Sequence, residues 1–410
     1  MRSTPSVVVS LVFVAFSLSL LAQDWNQWRG PSRTGATAAF KAPAAWPDRP
    51  KQVWQVQAGE GHASPIVSGN RVYAFSRIDD REAVTAYELA TGKQLWRQTY
   101  DAPFQMNPAA TSHGKGPKST PVIDGGRLYT FGISGILSVW DAVAGKLLWR
   151  KDFKGEYRAT WPDFGTAMSP AVANNLLILQ AGGKDNGALL ALDVQSGNVK
   201  WSWKRDGPAY SSPIVATFGG VRQVVTQSQT HVIALALDDG RLLWDIPFTT
   251  EYDQNIVTPL VIEDLLIYSG LSKPTSAVRP RENNGKWVAE QVWQNADVPM
   301  YMSSPVVKDG LLFGLTHRNR GQFFCLDGRT GKTLWTTRGR EGENAALVVA
   351  GDVLMATTTE GELVVSRPNA KAFDQVKRYT IADSPIWAHP VPVGNGVLIK
   401  DAATLTYWMF

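Results

Sequence analysis

The sequence predicts an all-β chain: an eight-bladed β-propeller of four-stranded antiparallel blades, its ring closed by an N-terminal strand that completes the last blade. Three observations predict it. A short tail recurs, as "LATGKQLWR" at 89–97, "AVAGKLLWR" at 142–150, "VQSGNVKWS" at 194–202, "LDDGRLLWD" at 237–245 and "GRTGKTLWT" at 328–336. Upstream of the tails runs a second recurring unit that starts at Ser/Thr-Pro. The composition is rich in Gly (36), Pro (24) and Trp (16), with 19% charged residues, which suits short strands and tight turns.

The upstream units are "SPIVSGNRVYAFS" (64–76), "STPVIDGGRLYTFG" (119–132), "SPAVANNLLILQA" (169–181), "SSPIVATFGGVRQVVTQ" (211–227), "TPLVIEDLLIYSG" (258–270) and "SSPVVKDGLLFGL" (303–315), with degenerate copies "AALVVAGDVLMATT" (345–358) and "HPVPVGNGVLIKD" (389–401). Each begins with a short apolar strand, where proline at the first residue removes no ladder N–H. A Gly/Asn/Asp turn and a second strand follow. After a variable loop comes a third strand such as "VTAYEL", then the tail's glycine turn and a fourth strand carrying tryptophan. Four strands repeating roughly every 40–50 residues mark a propeller blade. The last unit lacks a fourth strand, while "PKQVWQVQA" (50–58) is a tryptophan strand without a blade. The two complete each other and leave no open edge.

Inside the tail, the acidic residue four before the glycine (Glu88, Asp141, Asp193, Asp327) is suited to accept backbone N–H groups around the turn. Ala236 stands there in the fourth copy, with Asp238 as substitute. The tryptophans Trp54, Trp96, Trp149, Trp201, Trp244 and Trp335 should repeat around the ring, wedged between blades. The "TGKT" at 330–333 is not a phosphate loop, because the required earlier glycine is Leu326 and the segment joins two strands.

The remaining features bound the function. Residues 1–22 read as a secretory signal peptide, with Arg2 before an uncharged apolar run at 7–21, too short for the about 20 residues of a membrane span. Residues 23–49 are an N-terminal extension, and 50–410 form the propeller domain. Export to the periplasm or beyond is expected, with no stable membrane span after the signal is removed. The single cysteine, Cys325, allows no internal disulfide and no lipid anchor after the signal, and "FFCLD" makes it a buried small hydrophobe. The net charge of +5 is dispersed, and export also argues against nucleic acid as partner.

The tail resembles the tryptophan-docking repeat of quinoprotein propellers, on the copies "AYELATGKQLW", "VWDAVAGKLLW", "ALDVQSGNVKW" and "CLDGRTGKTLW"; "WNQWRGPSRTG" (25–35) also resembles the opening of exported PQQ-like repeat proteins. That architecture serves PQQ-dependent dehydrogenases and the propeller lipoprotein of the outer-membrane barrel assembly machine. By resemblance, the former would bring PQQ with Ca²⁺ held by Glu, Asn and Asp, beneath a disulfide of adjacent cysteines. One cysteine forbids that disulfide, and no C-x-x-C-H haem motif is present. The resemblance therefore implies a monomeric, non-catalytic binding scaffold for an envelope protein or a small-molecule or saccharide ligand. A PQQ-dependent oxidoreductase is the alternative.

A ligand site is expected at the channel mouth, where loops from each fourth strand to the next blade converge. These loops carry His62, His113, Lys118, Arg158, Trp161, Asp163, Phe164, Tyr210, Tyr252, Asp253, Asn255, Tyr301, Asn344, Trp387 and His389. The two longest, 97–119 and 150–168, should lie side by side. A basic lip is expected from Lys273, Arg279, Arg281 and Lys286 on a long loop at 270–286, with Arg318 and Arg320 beside it. No spacing matches a metal motif, and no catalytic triad is readable.

Overall fold

The computed structural model describes residues 24–410; the signal-peptide reading of 1–22 lies outside them. The described chain forms eight β-sheets, seven of four strands and one of five. The blades span 66–101, 122–152, 171–203, 214–247, 260–295, 306–336, 345–380 and, last, 391–409 with the N-terminal strand Lys51–Gln57. That strand pairs antiparallel with Thr404–Met409, from Lys51 opposite Met409 to Gln57 opposite Thr404, and closes the ring. The eight-bladed, strand-closed propeller read from the repeats is the fold observed.

Second strands are buried throughout, as in Leu176–Gly183, because their two faces press on both neighbouring blades. The core is accordingly divided among the blade junctions. Tyr73 and Phe75 of the first blade pack with Leu128 and Trp140 of the second, and Tyr129 and Phe131 of the second with Leu177 and Leu190 of the third. Cys325 is fully buried, and desolvation pushes its thiol up to about 12, as expected of an inert apolar filler.

The outer seam is built by the tail. Each tail glycine has positive φ, and a Cβ there would fall within 3.0 Å of the tryptophan from the preceding blade: Trp54 over Gly92, Trp96 over Gly145, Trp149 over Gly197, Trp201 over Gly240. The glycine thus supplies both the turn and the flat seat. Trp54 and Trp201 donate their indole N–H to the carbonyls of Leu89 and Leu237 (2.8 and 2.9 Å), and Trp335 to that of Asn369 (2.8 Å). Trp96 and Trp149 find no such partner. In their blades a tyrosine hydroxyl takes the equivalent carbonyl, Tyr73 that of Ala142 and Tyr129 that of Val194.

Three tail expectations need correction. Trp244 does not dock on the next blade's turn; its N–H bonds to Gln223 Oε1 in its own blade (2.9 Å), because the fifth blade replaces the glycine turn with a long hairpin, Lys273–Asn283 and Lys286–Asn295. The docking residue in the fifth blade is Trp293, seated on Gly331 and bonded to the Gly328 carbonyl. In the fourth tail Asp239, not Asp238, accepts a turn N–H, from Arg241. At Asp141, Asp193 and Asp327 the carboxylate caps the turn as expected: Asp141 Oδ1 accepts from the backbone of Val143 and Ala144, Asp193 Oδ1 from that of Gln195 and Ser196, and Asp327 Oδ1 from that of Arg329 and Thr330, whereas Glu88, with its longer side chain, accepts the Thr91 hydroxyl instead.

The same hairpin removes the expected basic lip. Residues 273–283 are a strand, not a mouth loop. Arg279 pairs with Asp264 (2.5 Å) and Arg281 with Glu290 (2.8 Å), and Lys286 begins the fourth strand at the end away from the mouth.

The N-terminal extension is not peripheral. It runs into the bore of the ring. Trp25 bridges to Val67, Asn26 donates to the Ile123 carbonyl, Arg33 donates to the carbonyls of Ser169 and Pro170, and Arg29 donates to that of Pro305. Ala36–Thr37 then pairs parallel with the inner strand Ala345–Ala350 as the fifth strand of that sheet.

Candidate functional site: an axial cavity above a plugged bore

The first strands of the blades start beside the axis, and the residue before each proline forms a ring there. The backbone N–H of one blade donates to the hydroxyl of the next: His389 to Ser64 (2.9 Å), Ser64 to Thr120 (3.0 Å), Thr120 to Ser169 (2.9 Å), Ser169 to Ser212 (2.9 Å), Ser212 to Thr258 (3.0 Å) and Thr258 to Ser304 (3.1 Å). The seventh blade has alanines here and breaks the circle; Ala345 N–H instead reaches Ser303 Oγ, which donates to Asn344. The Ser/Thr of the Ser/Thr-Pro signature therefore fastens blade to blade around the axis. Having accepted an N–H, each hydroxyl still carries its own proton.

Above this ring lies a cavity of about 250 Å³. Trp28 of the N-terminal extension forms its floor, edge-on to His389 (centroids 5.4 Å apart). The two long loops form one wall. They do lie side by side: Phe104 packs edge-on against Trp161 at 5.5 Å, and Lys118 Nζ donates to the Phe164 carbonyl (2.9 Å). His62, His113 and Trp387 make an aromatic cluster, with His113 and Trp387 centroids 4.7 Å apart. Tyr301 donates its hydroxyl proton to Gln254 Oε1, and the Tyr210 hydroxyl accepts the Phe164 N–H at 3.2 Å.

Of the residues named from sequence, the cavity is lined by His62, His113, Lys118, Phe164, Tyr210, Tyr301, Asn344, Trp387 and His389. The other six lie elsewhere. Arg158 and Asp163 are exposed, and Trp161 is spent on Phe104. Tyr252 points outward at 73% exposure, while Asp253 is paired with Lys184 (2.8 Å). Asn255 is fully buried and donates to the carbonyls of Ser228 and Phe248 (2.8 Å each), a structural role. Lining residues not chosen from sequence include Trp28, Gln254 and the hydroxyl ring. Gln254 sits between two chosen neighbours and points the other way. The ring was visible as the Ser/Thr before proline in the first six blades.

The electrostatics of the site are one-sided. Lys118 lines it, and Arg29 and Arg33 lie behind Trp28 with guanidinium carbons 5.3 and 5.6 Å from its ring. Burial pulls both arginines down to about 9, with Arg29 adding repulsion on Arg33; burial takes Lys118 to about 8. All three stay charged at neutral pH. Burial also holds His389 and His62 near 3, with Arg29 adding to the effect on the former and Lys400 and Lys118 on the latter, so both rings are neutral. No Asp or Glu lines the cavity.

The family model described as "Outer membrane protein assembly factor BamB" matches residues 44–113 and 80–337. The chain belongs to this PQQ-like family. Among its relatives is the outer membrane protein assembly factor BamB of Yersinia pestis, 24% identical over 379 residues, covering 87% of this chain and 88% of that protein. Among solved structures, BamB from Moraxella catarrhalis superposes with a TM-score of 0.63 at 15% identity, over 88% of this chain and all of that one. A europium-containing methanol dehydrogenase superposes with a TM-score of 0.69 at 13% identity, over 92% and 89%. At these identities the structural likeness establishes the shared propeller.

The residues of this family member do not fit PQQ with Ca²⁺. Ca²⁺ takes six to eight oxygen ligands, typically with carboxylates among them, and the cavity offers none. Among the described residues no group of three His, Cys, Asp or Glu is placed to hold a metal. The only cysteine is buried at the junction of the sixth and seventh blades. No helix among the described residues is long and apolar enough to cross a membrane.

Proposed function

We propose that this chain is an exported, non-catalytic propeller scaffold of the bacterial envelope that takes part in outer-membrane protein assembly, as the names of its relatives indicate for them. Two facts support the reading. Relatives named for that role align along most of both chains. The axial cavity has neither the carboxylates nor the paired cysteines of quinoprotein chemistry. The rigidity a scaffold needs is built in: the ring is closed by a strand, fastened by hydroxyls inside and by docked tryptophans outside. The partner is an envelope protein, met by a monomer facing the outer membrane from the periplasm.

The test is genetic and quantitative. Deleting the gene in its native host should lower the abundance of folded outer-membrane β-barrels several-fold, measured by mass spectrometry of heat-modifiable species, and the intact gene should restore it. Unchanged barrel levels would overturn the assembly role.

A further inference from the structure

Exposed apolar side chains gather on one arc of the rim. Of the eight large hydrophobic residues that stand exposed among the described residues, five lie on the tails of the first three blades: Leu95, Val143, Leu147, Leu148 and Val199, each 40–63% exposed. The equivalent leucines of later tails are covered, Leu242 and Leu334 half-buried and Leu243 buried. Tryptophan docking makes the arc continuous. Trp96 of the first blade sits on Gly145, two residues before Leu147, and Trp149 of the second sits on Gly197, two residues before Val199. Apolar side chains scattered singly are ordinary on a protein surface, whereas a contiguous group marks a contact surface.

Charge singles out the same arc. Each of the three tails adds one exposed lysine, Lys93, Lys146 and Lys200. Among the described residues Lys93 and Lys146 form no ion pair, while Lys200 stands 3.6 Å from Asp193. The carboxylates of these tails are turned onto their own turns: Glu88 holds the Thr91 hydroxyl, Asp141 the backbone of Val143 and Ala144, and Asp193 that of Gln195 and Ser196. The fourth tail, next along the rim, reverses the sign, with Asp238, Asp239 and Asp245 against Arg241.

The residue types choose the partner. Protein–protein interfaces centre on aromatic and arginine anchors and are depleted in lysine. Here the tryptophans are already engaged on neighbouring glycines, and what remains outward is aliphatic side chains beside lysines. That combination suits a bilayer surface, where apolar groups enter the acyl boundary and lysines meet anionic headgroups. We propose that the tails of the first three blades form a docking surface for a bilayer carrying anionic phospholipid. The leucines and valines reach below the headgroups, and Lys93, Lys146 and Lys200 meet their phosphates. Docking requires no crossing segment, because the propeller lies on the membrane with this arc facing it. Of the proposed function the inference uses only export.

The test is vesicle co-sedimentation of residues 24–410, which form the complete ring, since the apolar run at 7–21 would bind lipid by itself. Vesicles of phosphatidylcholine and phosphatidylglycerol in equal parts are compared with vesicles of phosphatidylcholine alone. The expected result is saturable binding to the anionic vesicles, at least about tenfold weaker on the neutral ones and falling as salt is raised. Leu95→Ser/Leu147→Ser/Leu148→Ser and, separately, Lys93→Gln/Lys146→Gln/Lys200→Gln should each weaken it at least about tenfold. Val288→Ser/Val292→Ser, which removes exposed aliphatics from the fifth blade's hairpin instead, should leave it unchanged. Circular dichroism and melting curves check that every variant folds. No sedimentation with anionic vesicles, equal binding to neutral ones, full binding in either triple variant, or the same loss in the fifth-blade variant would overturn the proposal. The barrel-abundance test reads independently of all of these.

Discussion

The outer rim and the axial mouth of this propeller are built from the same repeat but differ in what they leave undone. At the rim the seam is closed by repeated contacts: tryptophan lies flat on glycine, the indole or a neighbouring tyrosine takes the exposed carbonyl, and an acidic side chain caps most turns, while the indole N–H groups of Trp96 and Trp149 go without a partner. At the mouth the repeat supplies a ring of hydroxyls whose protons are free, beside cations without anions and a buried histidine without a partner. A scaffold needs the first arrangement. The second leaves donors and positive charge available at the axis, at a cost in stability.

The sharpest way to break the rim is Gly240→Ala. The site has φ +71°, and a Cβ there would lie 2.6 Å from the Trp201 ring. Left-handed strain and overpacking together should cost about 2–4 kcal/mol, read by denaturant unfolding. A loss under about 1 kcal/mol would mean the rim is soft.

The mouth is best probed by acid. His62 and His389 titrate near 3 in the fold against about 6.5 when unfolded. Between those values the unfolded chain binds more protons, so this contribution is fully present above pH 6.5 and is lost as pH falls toward 3. At pH 5 the loss should be roughly 2 kcal/mol per histidine. The double variant His62→Gln/His389→Gln should show a visibly shallower fall in melting temperature from pH 7 to 5. Parallel profiles would contradict the buried, neutral state.

Within the rim two smaller changes sharpen the account. Asp193→Ala removes bonds to two turn N–H groups and should cost about 1 kcal/mol. Trp201→Phe should cost more than Trp96→Phe by about 1 kcal/mol, because only the former breaks an N–H bond. Equal costs would place the docking energy in ring packing alone.

The same contrast explains how much could be read from sequence. Rim features recur at fixed spacing, so five tails exposed the fold, and the strand at 50–58 exposed the closure. Trp293 escaped because its blade carries a hairpin where the glycine turn should be, and Trp244 was misassigned for the same reason. The mouth is assembled from loops that share no register. One-residue alternation decided between Gln254, which faces the cavity, and Asp253 and Asn255, which do not. Trp28, Arg29 and Arg33 could not be placed, because nothing local in "WNQWRGPSRTG" says that the segment enters the bore. The Ser/Thr before proline in six of the units was in plain view, and its meaning became clear only when the blades were closed into a circle.

The central claim is that this family member serves as a scaffold and that its cavity is not a quinoprotein centre. The most direct measurement is a titration of the purified chain with PQQ, with and without Ca²⁺, followed by tryptophan fluorescence and by reduction of an electron-accepting dye in the presence of alcohols. The account predicts no Ca²⁺-dependent binding and no substrate-dependent dye reduction. Saturable, Ca²⁺-dependent quenching with turnover would contradict it.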